Sequence, residues 1–118
     1  MVGAFGLLTS CTDLGFEAEI TNRQPFDPPA IYGTWWTATE SCSRESGRLD
    51  RIEWYLATSI VSDGVLAFGA WTPPHEILIV SGYEDNEVIV RHEMLHDLLD
   101  GDSEHRSSAW AICDLIPD

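Results

Sequence analysis

The chain has 118 residues, which is enough for one domain with a single core and too few for two. Its hydrophobic content of 44% is that of an ordinary globular protein. Six arginines, no lysine and 20 acidic residues give a formal net charge of −14. Because such a surface repels phosphate backbones, we expect no nucleic-acid partner.

Residues 1–11 are typical of a targeting segment. Met1 to Leu8 is short and apolar, and Leu8-Thr9-Ser10-Cys11 resembles the bacterial lipobox, in which small residues precede a lipidated cysteine. The resemblance implies a lipid anchor at Cys11 as the one membrane contact, and an exported protein of the bacterial cell envelope or a secreted one. A signal segment should have a Lys or Arg before its apolar run, and this chain has neither there. An apolar tail with an incidental cysteine is the alternative.

Residues 12–30 contain Pro25, Pro28 and Pro29 and no helical or strand periodicity. They predict an extended tether, followed by a folded domain over residues 31–118. The first element of that domain is a helix over residues 34–46, with Trp35, Trp36 and Cys42 available for its buried side. Gly47 follows as a helix stop.

Three strands are predicted next. Residues 51–58 alternate between apolar and polar, and Asp63-Gly64 is a turn signal before a second strand over residues 65–71. The third strand is the apolar run at residues 77–80, which lies between Pro73-Pro74 and Gly82. With the helices, these strands predict an α+β fold: a small twisted sheet of three or four strands packed against a central helix.

That central helix is predicted from about Asn86 to Leu99, with Asp85 as its N-cap. Apolar residues surround nearly the whole helix, which is typical of a buried one. Histidines and a glutamate there need partners, since buried polar groups without partners are costly. Gly101 lets the chain leave the helix, and a short terminal helix is predicted over residues 107–115.

The predicted central helix carries His92-Glu93-Met94-Leu95-His96. Histidines four residues apart lie ~40° apart around a helix, so both imidazoles can reach one zinc ion. Glu93 is displaced from the ligand positions but near enough to act as a base on water. Two hydrogen-bonded core histidines are the alternative, although this pattern arises by chance in a chain of this composition only about once in a hundred.

This motif resembles that of the zincin metallopeptidases, and the order of helix, small sheet and active-site helix is similar from Trp35 to Cys113. The spacing of His105, Trp110 and Cys113 also looks like that of small bacterial lipoprotein-type peptidases. The resemblance implies a Zn²⁺ cofactor, His92 and His96 as ligands, Glu93 as general base and proton shuttle, and a peptide or protein substrate. It also implies that an edge strand, within 65–71 or 77–80, pairs with that substrate.

The third ligand is less certain from the pattern. The strict metzincin motif has Gly and His where this chain has Leu99 and Asp102, and Glu104 follows too soon to serve as the later glutamate of gluzincins. His105 is favoured, because imidazole is a common third ligand and six residues can span up to ~20 Å back to the metal. Asp102 is the alternative ligand.

The expected function is therefore zinc-dependent hydrolysis of peptide bonds by a metal-activated water, with Glu93 as general base. A zinc-containing binding module without catalytic activity, on the cell surface, is the alternative. Retention of Glu93 favours the enzyme, because a structural site needs no base. A metal-free lipoprotein with structural histidines is a third possibility.

The cysteine count predicts one disulfide. With Cys11 lipidated, Cys42 and Cys113 remain as an even pair, which in an exported protein favours a bond between them. Two buried reduced thiols are the alternative.

Overall fold

A computed structural model describes residues 18–116 and shows the expected α+β class, with three helices and two sheets. Cys11 and the predicted targeting segment lie outside the described residues. The helices are α1 (Ile31–Ser43), α2 (Glu87–Leu98) and α3 (Ala109–Ile112), with a 3₁₀ turn at Leu49–Arg51. The strands are β1 (Ala18–Thr21), β2 (Gln24–Pro25), β3 (Glu53–Ala57), β4 (Ser59–Ser62), β5 (Val65–Ala67), β6 (Gly69–Thr72) and β7 (Glu76–Val80).

The main sheet has four strands in the order β2-β3-β7-β6. β3 and β7 are parallel, whereas β2 and β6 run antiparallel to their neighbours and form the two edges. Strand alternation sends Ile77 and Ile79 of β7 into the large core shared with the helices, and Leu78 to the opposite face. There, Leu78 packs with Ile60 from the second sheet, which is antiparallel in the order β1-β4-β5.

The predicted second strand, residues 65–71, is in fact two strands in two sheets. The chain bends at Phe68, so that β5 completes the three-stranded sheet and β6 forms an edge of the main sheet. The Asp63-Gly64 turn is present, with φ angles of 53° and 76° that suit a tight two-residue hairpin. This turn joins β4 to β5. The strand predicted over residues 51–58 does not reach the turn, because it ends at Ala57 and a new strand, β4, begins at Ser59.

Residues 18–25, within the predicted tether, form two strands. β1 pairs with β4, and β2 pairs with β3 at the edge of the main sheet. A proline in β2 is compatible with an edge position, where its missing N–H breaks no interior ladder. β1 does alternate between half-buried and exposed residues, but a strand of four residues is too short for this alternation to stand out in the sequence.

The helix boundaries also differ from the predicted ones. α1 ends at Ser43 rather than at Ser46, because Arg44 takes a left-handed conformation (φ 64°) and its N–H donates to the Glu40 carbonyl. α2 is capped by Asn86 rather than Asp85: the Asn86 side chain accepts a hydrogen bond from the Ile89 N–H at 3.1 Å. The third strand and the buried central helix are otherwise as predicted.

The predicted disulfide is present. It joins Cys42, near the end of α1, to Cys113, directly after α3, across 71 residues of sequence. The bond therefore fastens the C-terminal segment to the first helix.

We expect reduction of this disulfide to lower the free energy of unfolding by about 4 kcal/mol, since it frees a long loop in the unfolded chain. Denaturant unfolding with and without reductant measures the change. The Cys42→Ala, Cys113→Ala double variant is the control and should not respond to reductant. Equal stability of the oxidised and the fully reduced wild type would contradict the expectation.

Candidate metal centre

Helix α2 is buried because its apolar residues pack both against the other helices and against the main sheet. Val90, Met94 and Leu95 are fully buried in the core between the helices and the main sheet. His92 and His96 share the remaining side of the helix, with ring centroids 5.0 Å apart. The helix thus presents two imidazoles one turn apart, as the spacing predicts.

The segment after α2 returns a third histidine to the same place. Asp100, Gly101, Asp102 and His105 all have positive φ angles, between 56° and 128°, and these reverse the chain. The ring of His105 lies 4.9 Å from each of the other two histidine rings. One nitrogen from each of the three rings lies within 4.8 Å of the others, so the cluster could hold a metal ion.

Two backbone carbonyls set the protonation of the imidazoles on α2. His92 Nδ1 lies 2.8 Å from the Leu115 oxygen, and His96 Nδ1 lies 2.7 Å from the Gly101 oxygen. Because a carbonyl only accepts, each Nδ1 carries the proton and donates it, which leaves a lone pair on each Nε2. His92 Nε2 lies 3.2 Å from Nε2 of His105. Ligand imidazoles are oriented in this way in metal sites generally.

Burial keeps the imidazoles of His92 and His96 neutral. Trp110 is fully buried and lies against all three rings, with centroid distances of 4.5 to 4.7 Å. Removal from water lowers the pKa of His96 to about 4 and also lowers the pKa of His92. Only neutral imidazole binds metal, so both rings are in the binding form at neutral pH.

Glu93 lies beside the cluster, and its side chain has no hydrogen-bond partner among residues 18–116. The residue is 6% exposed, and burial raises the pKa of its carboxyl to about 8. The backbone of β6 passes directly over it: a Cβ atom on Gly69 would lie 3.1 Å from Glu93 Oε2. The carboxyl can therefore hold or release a proton near neutral pH, and any side chain at residue 69 would press on Glu93.

The predicted alternative ligand, Asp102, holds the loop instead. Its Oδ1 accepts from the Arg106 N–H at 3.0 Å, and its Oδ2 accepts from the Ser107 N–H and from Trp110 Nε1. These three bonds bind both carboxylate oxygens and lower the pKa of Asp102. Asp102 therefore shapes the segment that carries His105 and positions Trp110 under the rings.

A buried carboxylate whose partners the sequence does not predict lies one residue beyond His96. Asp97 is fully buried, and its oxygens contact Arg51 Nε at 3.0 Å, Trp71 Nε1 at 2.9 Å and His75 Nδ1 at 2.8 Å. Asp97 thus fastens the edge strand β6 to α2, and His75 is one of its partners.

Comparisons with protein-family models, with curated proteins and with solved structures find no match for this chain. Within residues 18–116, none of the helices has the length and apolar character needed to cross a bilayer. Function is therefore inferred from the chemistry and geometry of the site itself.

Proposed function

We propose that this chain is a zinc-dependent peptidase of the zincin type. His92, His96 and His105 hold the ion, and Glu93 is the general base and proton shuttle in hydrolysis. The observation that carries the proposal is the convergence of three imidazoles next to a buried carboxyl that has no hydrogen-bond partner among residues 18–116. Each feature alone has a structural explanation, but a structural site gains nothing from Glu93, which is costly to bury.

Three nitrogen ligands suit zinc in a catalytic site, which keeps the fourth position open. Imidazole also suits copper, iron and nickel, so the ligand set by itself does not select the metal. The adjacent carboxyl favours zinc, because a hydrolytic ion works with a neighbouring base. When bound, zinc supplies Lewis-acid activation of water and polarisation of a carbonyl oxygen.

The residues of the chain itself perform the proton transfers. Glu93 takes a proton from the attacking water and delivers it to the leaving amine, which requires a carboxyl that can change protonation state near neutral pH. Leu115 and Gly101 keep the His92 and His96 rings fixed through their carbonyls during these steps. Trp110 excludes water from the far side of the rings.

The extended substrate is proposed to pair with β6. Of the two segments expected from the sequence, residues 77–80 lie between β3 and β6 and have no free edge. In the other, β5 belongs to the second sheet, which leaves β6, whose outer edge pairs with no strand among the described residues. An exposed edge is a template for an added strand, and Gly69 of β6 lies over Glu93.

Export belongs to the same proposal. The Cys42–Cys113 disulfide favours an oxidising compartment, since such bonds rarely persist in the cytosol. A lipid anchor at Cys11 is the proposed means of attachment to the cell envelope.

Protein purified without chelator is expected to contain about one zinc per chain, because three ligands define a single site. His96→Ala should lose the metal. His75→Gln is the matched control, since it removes a histidine outside the cluster and should keep the metal. Elemental analysis by mass spectrometry gives the stoichiometry. A metal content near zero in the wild type would refute the zinc site.

A further inference from the structure

The charge of this protein is strongly negative. Five of the six arginines form ion pairs with acidic side chains, so they do not offset the remaining carboxylates. Acidic residues without an ion-pair partner among residues 18–116 lie at both ends of α2, and we call these four residues the acidic rim: Glu84, Asp85, Asp100 and Asp102. Because no arginine neutralises them, the two ends of α2 carry a negative potential that attracts cations.

Tyr83 directly precedes Glu84 and Asp85 of this rim, and together with the exposed side chains of Phe68 and Val88 we call it the apolar patch. Phe68 and Val88 are 46% and 52% exposed, which is high for large apolar side chains. The rings of Phe68 and Tyr83 contact each other with centroids 4.6 Å apart, and Tyr83 packs on the main core behind them. Phe68 is thus held in place by Tyr83 rather than isolated on the surface.

This apolar patch borders the catalytic carboxyl. Phe68 directly precedes Gly69, which lies against both Glu93 and Ile89. Val88 lies one helical turn before His92, on the same side of α2. Glu93 itself is buried without a hydrogen-bond partner in the described part of the chain and faces Gly69. A chain bound along β6 would therefore place one of its side chains on the patch.

Resting on the peptidase function, we propose the class of substrate: a polypeptide segment that presents a large apolar side chain flanked by Lys or Arg. The apolar side chain covers Phe68 and Val88, which removes their surface from water. The flanking cations meet the acidic rim. A second copy of this chain is a poor occupant, because two surfaces of net charge −14 repel each other.

The test uses matched peptides of equal length with Leu, Ala or Glu at the centre and Arg, Gln or Glu on both sides. Cleavage by the zinc-loaded wild type is measured as kcat/KM, and binding to zinc-loaded Glu93→Gln by fluorescence anisotropy. Leu flanked by Arg is expected to exceed Leu flanked by Glu by roughly tenfold in both assays, and this advantage should shrink with added salt.

Two variants test which residues produce the preference for a central Leu and the preference for flanking Arg. Phe68→Ser should reduce the preference for Leu over Ala, and Glu84→Gln with Asp85→Asn should reduce the preference for Arg over Gln. Ile112→Ser is the control, because Ile112 is 66% exposed but lies on α3. It should change neither preference.

The outcomes separate this inference from the peptidase function. Cleavage with no preference among flanking residues would overturn the inference and leave the peptidase intact. Ranked binding to Glu93→Gln without cleavage by the wild type would support the inference and remove the peptidase. If neither cleavage nor binding differed among the peptides, the proposed substrate class would be overturned, whether or not the protein is a peptidase.

Discussion

Glu93→Gln is expected to lower peptide hydrolysis by at least ~10²-fold while the zinc content stays unchanged, since general-base catalysis contributes at that scale. Glutamine has nearly the same size and remains next to His92, but it cannot take a proton from water. Cleavage of a mixed peptide library, followed by mass spectrometry, compares the variant with the wild type. Equal cleavage by the two proteins would rule out Glu93 as the base.

The same substitution has a signature in the metal-free protein that does not need a substrate. Burial raises the pKa of Glu93 from 4.5 to about 8, so the folded state retains a proton that the unfolded state has lost between these values. The unfolded chain then binds fewer protons, and the stability of the wild type falls as pH rises through that window.

Between pH 5 and pH 8, the stability of Glu93→Gln relative to wild type should therefore rise by on the order of 3 kcal/mol. Urea unfolding in the presence of a chelator measures this change. Glu45→Gln, at an exposed position, is the control and should not show it. A relative stability that is flat with pH would mean that Glu93 is not buried as a protonated acid.

The second large effect concerns the third ligand. His105→Ala is expected to weaken zinc binding by more than ~10²-fold, because it removes one of the three proposed ligands. Asp102→Asn should have a smaller effect, within the ~10- to 100-fold typical of groups that support a ligand from behind. Competition with a chromophoric chelator gives both affinities.

Asp102→Asn should also destabilise the fold, because Asp102 bonds two backbone N–H groups and Trp110 Nε1. The His105→Ala variant should retain the disulfide and the helical signal in circular dichroism. If Asp102→Asn lost zinc more completely than His105→Ala, the ligand role would pass to Asp102.

The sequence predicted those features that depend on local spacing. Two histidines four residues apart on one helix, an apolar run between breakers, and an Asp-Gly turn each have a fixed local geometry. The disulfide was predicted from the pairing of two remaining cysteines and is present between Cys42 and Cys113. The α+β class follows from the mixture of these elements.

Features that depend on distant partners were not predicted. The bend at Phe68 assigns one continuous apolar stretch to two sheets, and this depends on which strands flank it rather than on its own pattern. Asp97 gathers partners that are 22, 26 and 46 residues away, for which the sequence holds no periodic signal. The carbonyls that orient His92 and His96 carry no side-chain signature at all.

The bond from His92 to the Leu115 carbonyl also determines when the cluster can form during synthesis. His92 leaves the ribosome well before Leu115, so a nascent chain has α2 without the carbonyl that places the proton on Nδ1. Until then the imidazole can exchange between its two tautomers, and only one of them leaves Nε2 free. The three-histidine cluster is therefore a product of the folded chain, and under the proposed function the metal binds after folding rather than before it.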